Sequence, residues 1–403
     1  ATTEPCGPVY LVLPREMFWN KSEIPASGAQ NPVSCPLTPD EKALASAAEI
    51  LIKAENPLIV TGYSGRNQQC VPAMIELAET LAARVITSDF WVSFPNTHPM
   101  AAYLSVSGGF GNPLLTQADA VLAVDYDMHY ASPPVTPNPN AKIIHIDIDT
   151  VKKGVPLWGR KPDIQMRAHS AQAIPLLTNM IKKNLSAERR AQLQQRFKVL
   201  AAEHDKLSKE WQDKARSHAN RTPVSANWLS KCINEIKDDN TIIVNQCISP
   251  SAIVAHTIHY SKPGSLYSCQ GGCIGWAPGA ALGVKLAAPE KTVIGLMGDG
   301  AFIYGCPEAT LWASHLYKAP FLAVIYDNRG YGAIKGLFKE KYNVTDMGAD
   351  ISEPPDFTLI ARANKAYGRM VDDPADVPKA LQECLGMVRQ GHSAVLDVRI
   401  DPV

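Results

Sequence analysis

Two short apolar runs, Val293-Ile294-Gly295-Leu296-Met297 and Phe321-Leu322-Ala323-Val324-Ile325, constrain this chain more than any other feature. Each has the length and unbroken apolar character of a strand buried on both faces, and Pro307 to Tyr317 between them suits one crossover helix. Such a unit is right-handed and sets the carboxyl ends of both strands side by side at one sheet edge, where open α/β folds bind ligands. Gly298-Asp299-Gly300 follows the first run, and Asn328 follows the second, 29 positions after the aspartate. Mg²⁺ prefers an octahedron of oxygens and takes only a few from protein. Asp299, Asn328 and a backbone carbonyl, taken as that of Gly330, meet that demand. The tripeptide alone is also an ordinary turn.

The segment Gly271-Gly272-Cys273-Ile274-Gly275-Trp276-Ala277-Pro278-Gly279-Ala280-Ala281-Leu282-Gly283 lies just upstream, with small residues where a helix is expected to pack closely. Together with Gly298-Asp299-Gly300 and Asp327-Asn328-Arg329-Gly330-Tyr331-Gly332 it resembles the pyrophosphate-binding domain of thiamine-diphosphate enzymes. The resemblance is to the group of benzoylformate and pyruvate decarboxylases, acetolactate synthases and related carboligases. Gly7 to Glu16 resembles the last strand of the family's N-terminal pyrimidine-binding domain, and Pro57 to Asp149 resembles its central domain. The fold this implies is α/β, with two doubly wound parallel-sheet domains joined by a helical connector. The expected divisions are 1–36 (that last strand plus a linker), 37–180 (central domain), 181–222 (connector) and 223–403 (pyrophosphate-binding domain).

The resemblance also implies a site. Thiamine diphosphate would lie over the helix start after Gly298-Asp299-Gly300, where free N–H groups and the helix dipole favour an anion. Ala301 and Phe302 would donate through their backbones, Ser249 would contact the diphosphate, and Mg²⁺ would bridge to Asp299, Asn328 and Gly330. Ile274 would be the wedge that bends the cofactor, and the Gly272 carbonyl would accept from its amino group. Ala333, Ile334 and Leu337 would line the substrate pocket. The implied reaction is decarboxylation of a 2-oxo acid, with release of an aldehyde or ligation to a second carbonyl to give a hydroxyketone. Two departures stand out: Asp327 precedes Asn328 where relatives usually carry a second Asn, and the Asp299 to Asn328 spacing is slightly long, with Gly305-Cys306-Pro307-Glu308 as the candidate insertion. The family's activating glutamate belongs to the pyrimidine-binding domain, and no glutamate here sits in a segment resembling it. The chain alone is therefore expected to be an incomplete catalyst, completed by further residues or another chain. Val124 to Tyr130 lacks the arginine that flavin- or ADP-binding relatives carry, so no FAD is expected.

Other features set the frame. Thr38-Pro39-Asp40-Glu41 starts a helix, with proline expected in its first turn. Ser186 to Ser217 has a helical period, with Leu193, Phe197, Leu200, Leu207 and Trp211 along one side. Residues 20–40 read as linker and Ala131 to Pro139 as loop. Equal counts of 39 acidic and 39 basic residues give no electrostatic reason for nucleic acid or a membrane as partner. Nine cysteines without a framework spacing point to a reducing, cytoplasmic setting. Cys269 and Cys273, the only close pair, read as packing, and His256 and His259 as helix surface or packing. A homodimer or homotetramer is expected. The competing readings are an acetolactate-synthase-type carboligase and a non-catalytic relative that only binds the cofactor. A nicotinamide dehydrogenase is disfavoured, because no Gly-x-Gly-x-x-Gly follows an early strand.

Overall fold

The computed structural model describes residues 4–21, 37–88, 90–102, 114–127, 138–151, 161–269, 272–345 and 348–402. Helix α1 (Glu41–Lys53) opens on Asp40, whose Oδ1 accepts from Ala43 N at 2.8 Å. Pro39 thus precedes the cap instead of occupying the first turn, because the free amide is taken by the Asp40 carboxylate and not by the Thr38 hydroxyl. Strands β1 (Pro57–Thr61), β2 (Arg84–Thr87), β3 (Ala120–Val124), β4 (Lys142–Asp147) and β5 (Ile164–Arg167) form a parallel sheet in the order β2-β1-β3-β4-β5. Helices α2 (Cys70–Leu81), α3 (Leu114–Gln117) and α4 (Ser170–Asn184) complete this unit. Every residue of β1 and β3 is buried. Leu51, Met74, Leu77, Ile174 and Leu177 share their core.

Helix α5 (Ala187–Ser217) runs 31 residues from a cap in which Ser186 Oγ accepts from Arg189 N. Its first half packs Leu193, Phe197 and Leu200 on the first core. Arg189 and Arg196 reach back to the carbonyls of Ile52, Ala54, Glu55 and Leu81, which the ends of α1 and α2 leave without helical partners. Its second half meets the second unit, where Trp211 stacks flat on His256 at 4.1 Å between ring centroids. Leu207 is more than one-third exposed.

The second unit contains α6 (Ala226–Ile236), β6 (Thr241–Gln246), α7 (Ser251–Thr257), β7 (Leu266–Ser268), α8 (Trp276–Ala287), β8 (Thr292–Gly298), α9 (Asp299–Tyr304), α10 (Pro307–Leu316) and β9 (Leu322–Asp327). It ends with α11 (Gly332–Tyr342), α12 (Phe357–Ala363), β10 (Tyr367–Val371), α13 (Val377–Arg389) and β11 (Ala394–Arg399). Its parallel sheet runs β10-β11-β9-β8-β6-β7. Leu229, Ile233, Leu381 and Leu385 belong to one core cluster, and Ala277, Ala281, Phe302 and Leu311 to another. β8 and β9 pair from Ile294↔Leu322 to Gly298↔Tyr326, so their carboxyl ends adjoin. The crossover between them holds two helices, not one. At Gly305 an added Cβ would stand 2.5 Å from Pro278 Cγ, and Cys306 turns left-handed at φ 47°, so the helix breaks and restarts on Pro307.

Residues 5–14 form no strand, and Val9, Tyr10, Leu11 and Val12 are exposed. The strand expected there has no neighbouring strand among the described residues to complete its hydrogen bonds. The linker at 22–36 and most of the loop expected after Ala131 lie outside the described residues. Among the described residues no helix is long and apolar enough to cross a membrane.

One side chain ties the two units together. Asn96 Nδ2 donates to Ala255 O at 3.0 Å and Ile258 O at 2.8 Å, Oδ1 accepts from Tyr260 N at 2.7 Å, and Asn96 N donates to Tyr260 O at 3.2 Å. Beside it Ser268 N donates to Phe90 O, and Trp91 bridges antiparallel to Tyr267. Asn96→Ala leaves three partly buried backbone groups without this partner, so urea unfolding should show a loss of about 2–3 kcal/mol with the native circular dichroism retained.

Candidate functional site

Asp299 closes β8 and holds the next loop. Its carboxylate is buried; Oδ1 accepts from Gly300 N at 2.8 Å and Oδ2 from Gly330 N at 2.9 Å, which fixes the loop after β9 against the start of α9. Asp327, fully buried at the end of β9, accepts from Arg329 N at 3.0 Å and lies 3.0 Å from Arg399 Nε of β11. Gly300 lies close under Tyr331: an added Cβ would stand 2.4 Å from Tyr331 Cε1, so the ring would have to move aside.

The other wall comes from the segment before α8. Gly272 adopts φ +63° with open space where a Cβ would be, and Gly275 takes φ +88°, with its Cβ position 2.6 Å from the Tyr304 carbonyl carbon. Gln246, the last residue of β6, donates from Nε2 to Cys273 O at 2.5 Å and accepts at Oε1 from Ala277 N at 2.8 Å. One amide thereby clamps Cys273 and the start of α8 above the sheet edge. Ile274 stays 40% exposed, which a core side chain would not be. Gly279 and Gly283, expected to allow close packing, have nothing within 4 Å of a Cβ position; close approach on α8 occurs at Gly275 and at Ala281, which faces Gly295.

Between these walls lies a cavity of ≈ 330 Å³. Ser249, Gly272, Ile274, Gly298, Asp299, Gly300, Ala301, Asn328, Gly330, Ala333 and Ile334 line it. Two expected residues do not. Phe302 is buried in the core against the Phe357 ring at 5.2 Å, and as the fifth residue from the Gly298 cap its N–H is the first committed to the helix. Leu337, 41% exposed on α11, lies beyond the cavity. Sequence reasoning missed Gln246, Tyr326 and Tyr331, which also line it. A polar residue ending the apolar strand Ile242-Ile243-Val244 was the available signal for Gln246.

Electrostatically the edge is acidic. Burial, with the neighbouring Asp327 carboxylate, pushes Asp299 up to about 6, and burial raises Asp327 as well. Burial, then repulsion from Asp327 and Asp299, raises Asp397 on β11 to about 7, and its buried Oδ1 has no hydrogen-bond partner among the described residues. Hard oxygen donors, an excess of buried negative charge and an open glycine-lined space together fit a divalent cation carrying a phosphate.

Residues 249–398 match the family described as thiamine pyrophosphate enzyme, C-terminal TPP binding domain, and residues 44–173 match thiamine pyrophosphate enzyme, central domain. The chain belongs to the thiamine pyrophosphate enzymes. Similar members include the acetolactate synthase isozyme 3 large subunit of Escherichia coli K12, 23% identical over 98% of this chain and 69% of the relative. The sulfoacetaldehyde acetyltransferase of Alcaligenes xylosoxydans xylosoxydans is 26% identical over 97% of this chain and 68% of the relative. The crystal structure of benzoylformate decarboxylase from Polynucleobacter necessarius shares the fold, with a TM-score of 0.78 and 20% identity over 100% of this chain and 72% of that one. The chain thus spans about two thirds of the length of these thiamine pyrophosphate enzymes.

The raised Asp299 carries a stability consequence. Its folded value lies above its unfolded one, so its contribution is favourable in acid and is lost as pH rises through about 6. In metal-free protein, stability should therefore fall as pH rises through about 6, and Asp299→Asn, which cannot ionise, should lose that pH dependence, read from paired urea titrations.

Proposed function

We propose that this chain binds thiamine diphosphate with Mg²⁺ and serves decarboxylation of a 2-oxo acid or carboligation to a hydroxyketone. The observation that carries the reading is that one cavity joins the Asp299–Gly330 loop pair to the Gly272–Ile274 segment. Asp299, Asn328 and the Gly330 carbonyl would hold Mg²⁺, and Gly298 and Ala301 would offer their backbone to the diphosphate beside Ser249, while Gly300 N stays on Asp299. Asp327 keeps its tie to Arg399 and leaves ligation to Asn328. The bound cofactor supplies an acidic carbon and an electron sink. The protein's part is to bend, position and desolvate it: Ile274 is the wedge, the Gly272 carbonyl accepts from the amino group, and Ala333 and Ile334 offer an apolar wall to the substrate side chain.

Among the described residues no glutamate lines the cavity. The activating carboxylate therefore comes from a pyrimidine-binding domain supplied by other residues or a second chain. Exposed Tyr304, Trp312 and Leu316 on α9 and α10 beside the site support a homodimer or homotetramer. The names of several similar proteins favour acetolactate-synthase-type carboligation as the second reading. Against a flavin, the carboxyl edge of the first sheet is acidic: Asp125 accepts from Ser170 Oγ, and Asp127 from Tyr63 OH.

Calorimetric titration of the 403-residue chain should show Mg²⁺-dependent binding of thiamine diphosphate, weakened more than tenfold by Asp299→Ala, about 1.4 kcal/mol or more. The same chain, assayed alone for carbon dioxide release, should show no substantial turnover. Undiminished binding by Asp299→Ala sinks the metal assignment, and robust turnover sinks the need for an outside carboxylate.

A further inference from the structure

A second cavity, ≈ 540 Å³, opens between the C-terminal turns of α2 and α4 and the first half of α5, and none of its lining residues belongs to the candidate cofactor site. Its floor is apolar: Leu185 and Leu193 are buried, and Phe197 is half-buried. Its rim carries three cations, Lys182, Arg190 and Lys198, against one carboxylate, Glu79.

The commitments of these groups decide what it can take. Lys182 Nζ pairs with Glu76 at 2.5 Å, Arg190 donates to the carbonyls of Lys182 and Leu185, and Glu79 faces His98 Nε2 at 3.3 Å. Lys198 has no ion pair and Gln194, one turn before it, has no hydrogen bond among the described residues. An unpaired ammonium and a free amide on one helix face, above an apolar floor, present one anion-binding point and a dry seat for a hydrocarbon body. A cation would meet net positive charge. A polyanion would find one uncommitted lysine and leave the apolar floor uncovered.

We propose that this cleft is a binding site for a small monocarboxylate with a branched or aromatic apolar body, its carboxylate on Lys198 and Gln194 and its body on Leu185, Leu193 and Phe197. The cleft volume lies within the range of small-molecule sites, about 300–1,000 Å³.

The test is titration of the 403-residue chain with 4-phenylbutyrate, followed by ligand-observed NMR and calorimetry, with 4-phenylbutanol as the uncharged control. Saturable binding of the acid is expected. Lys198→Glu on the exposed face should weaken it about tenfold or more by reversing the attracting charge. Gln194→Trp should abolish it by filling the cleft, while Asp299→Ala leaves it unchanged. The assignment is overturned by an absence of saturable binding, by equal affinity of wild type and Lys198→Glu, by alcohol binding as tight as acid, or by loss in Asp299→Ala. That last result would put the acid in the cofactor cavity, and it would leave the thiamine diphosphate reading standing.

Discussion

The candidate site hangs on one carboxylate accepting from two loops. Asp299 receives Gly300 N from its own turn and Gly330 N from the loop after the neighbouring strand. Without that pair of bonds, parallel pairing of β8 and β9 would still bring the strand ends together, but the loop carrying Asn328 would be held only by its own side, through Asp327 and residues 349–351, and not against the start of α9. The arrangement is costly in isolation. Three buried carboxylates, Asp299, Asp327 and Asp397, crowd an edge where Arg399 supplies the ion pair to Asp327. Perturbed carboxylates of this kind are concentrated at functional sites.

Strand pairing and the carboxyl-edge rule were legible because continuous apolar runs of strand length leave few options. The long helix was legible from its period, and Ser186 caps it through Arg189 N. What sequence did not show has physical reasons. The resemblance implies that Phe302 donates to the cofactor, yet the first committed helical amide falls on it and its ring is drawn into the core with Phe357. Gly279 and Gly283 suggested close packing, but small residues only permit an approach, and the neighbouring helix comes in at Gly275 and Gly305 instead. Gln246 was invisible because its work is tertiary: it bonds residues 27 and 31 positions away. Residues 5–14 carry a strand pattern without a strand, since a ladder needs a partner and a pattern does not.

The two sheets meet through few but specific contacts. Asn96 supplies an amide with both N–H groups and its oxygen engaged, while Trp211 on His256 adds a flat ring contact on the other side. The seam lies close to α7, which starts just after Ser249, so the accuracy of that cavity wall depends on how the first unit is seated.

The continuity of α5 adds a constraint on chain length. Its first half presents Leu193, Phe197 and Leu200 to one unit, and its second half presents Trp211 and Gln212 to the other. Because a helix rotates about 100° per residue, the two contact faces are held in phase only by the number of residues between them. A single-residue insertion between Leu200 and Trp211 would swing the second unit about a third of a turn around the helix axis and pull Asn96 away from Tyr260. The helix therefore acts as a gauge block: its residue count must agree with the orientation that the Asn96 contacts impose on the two units.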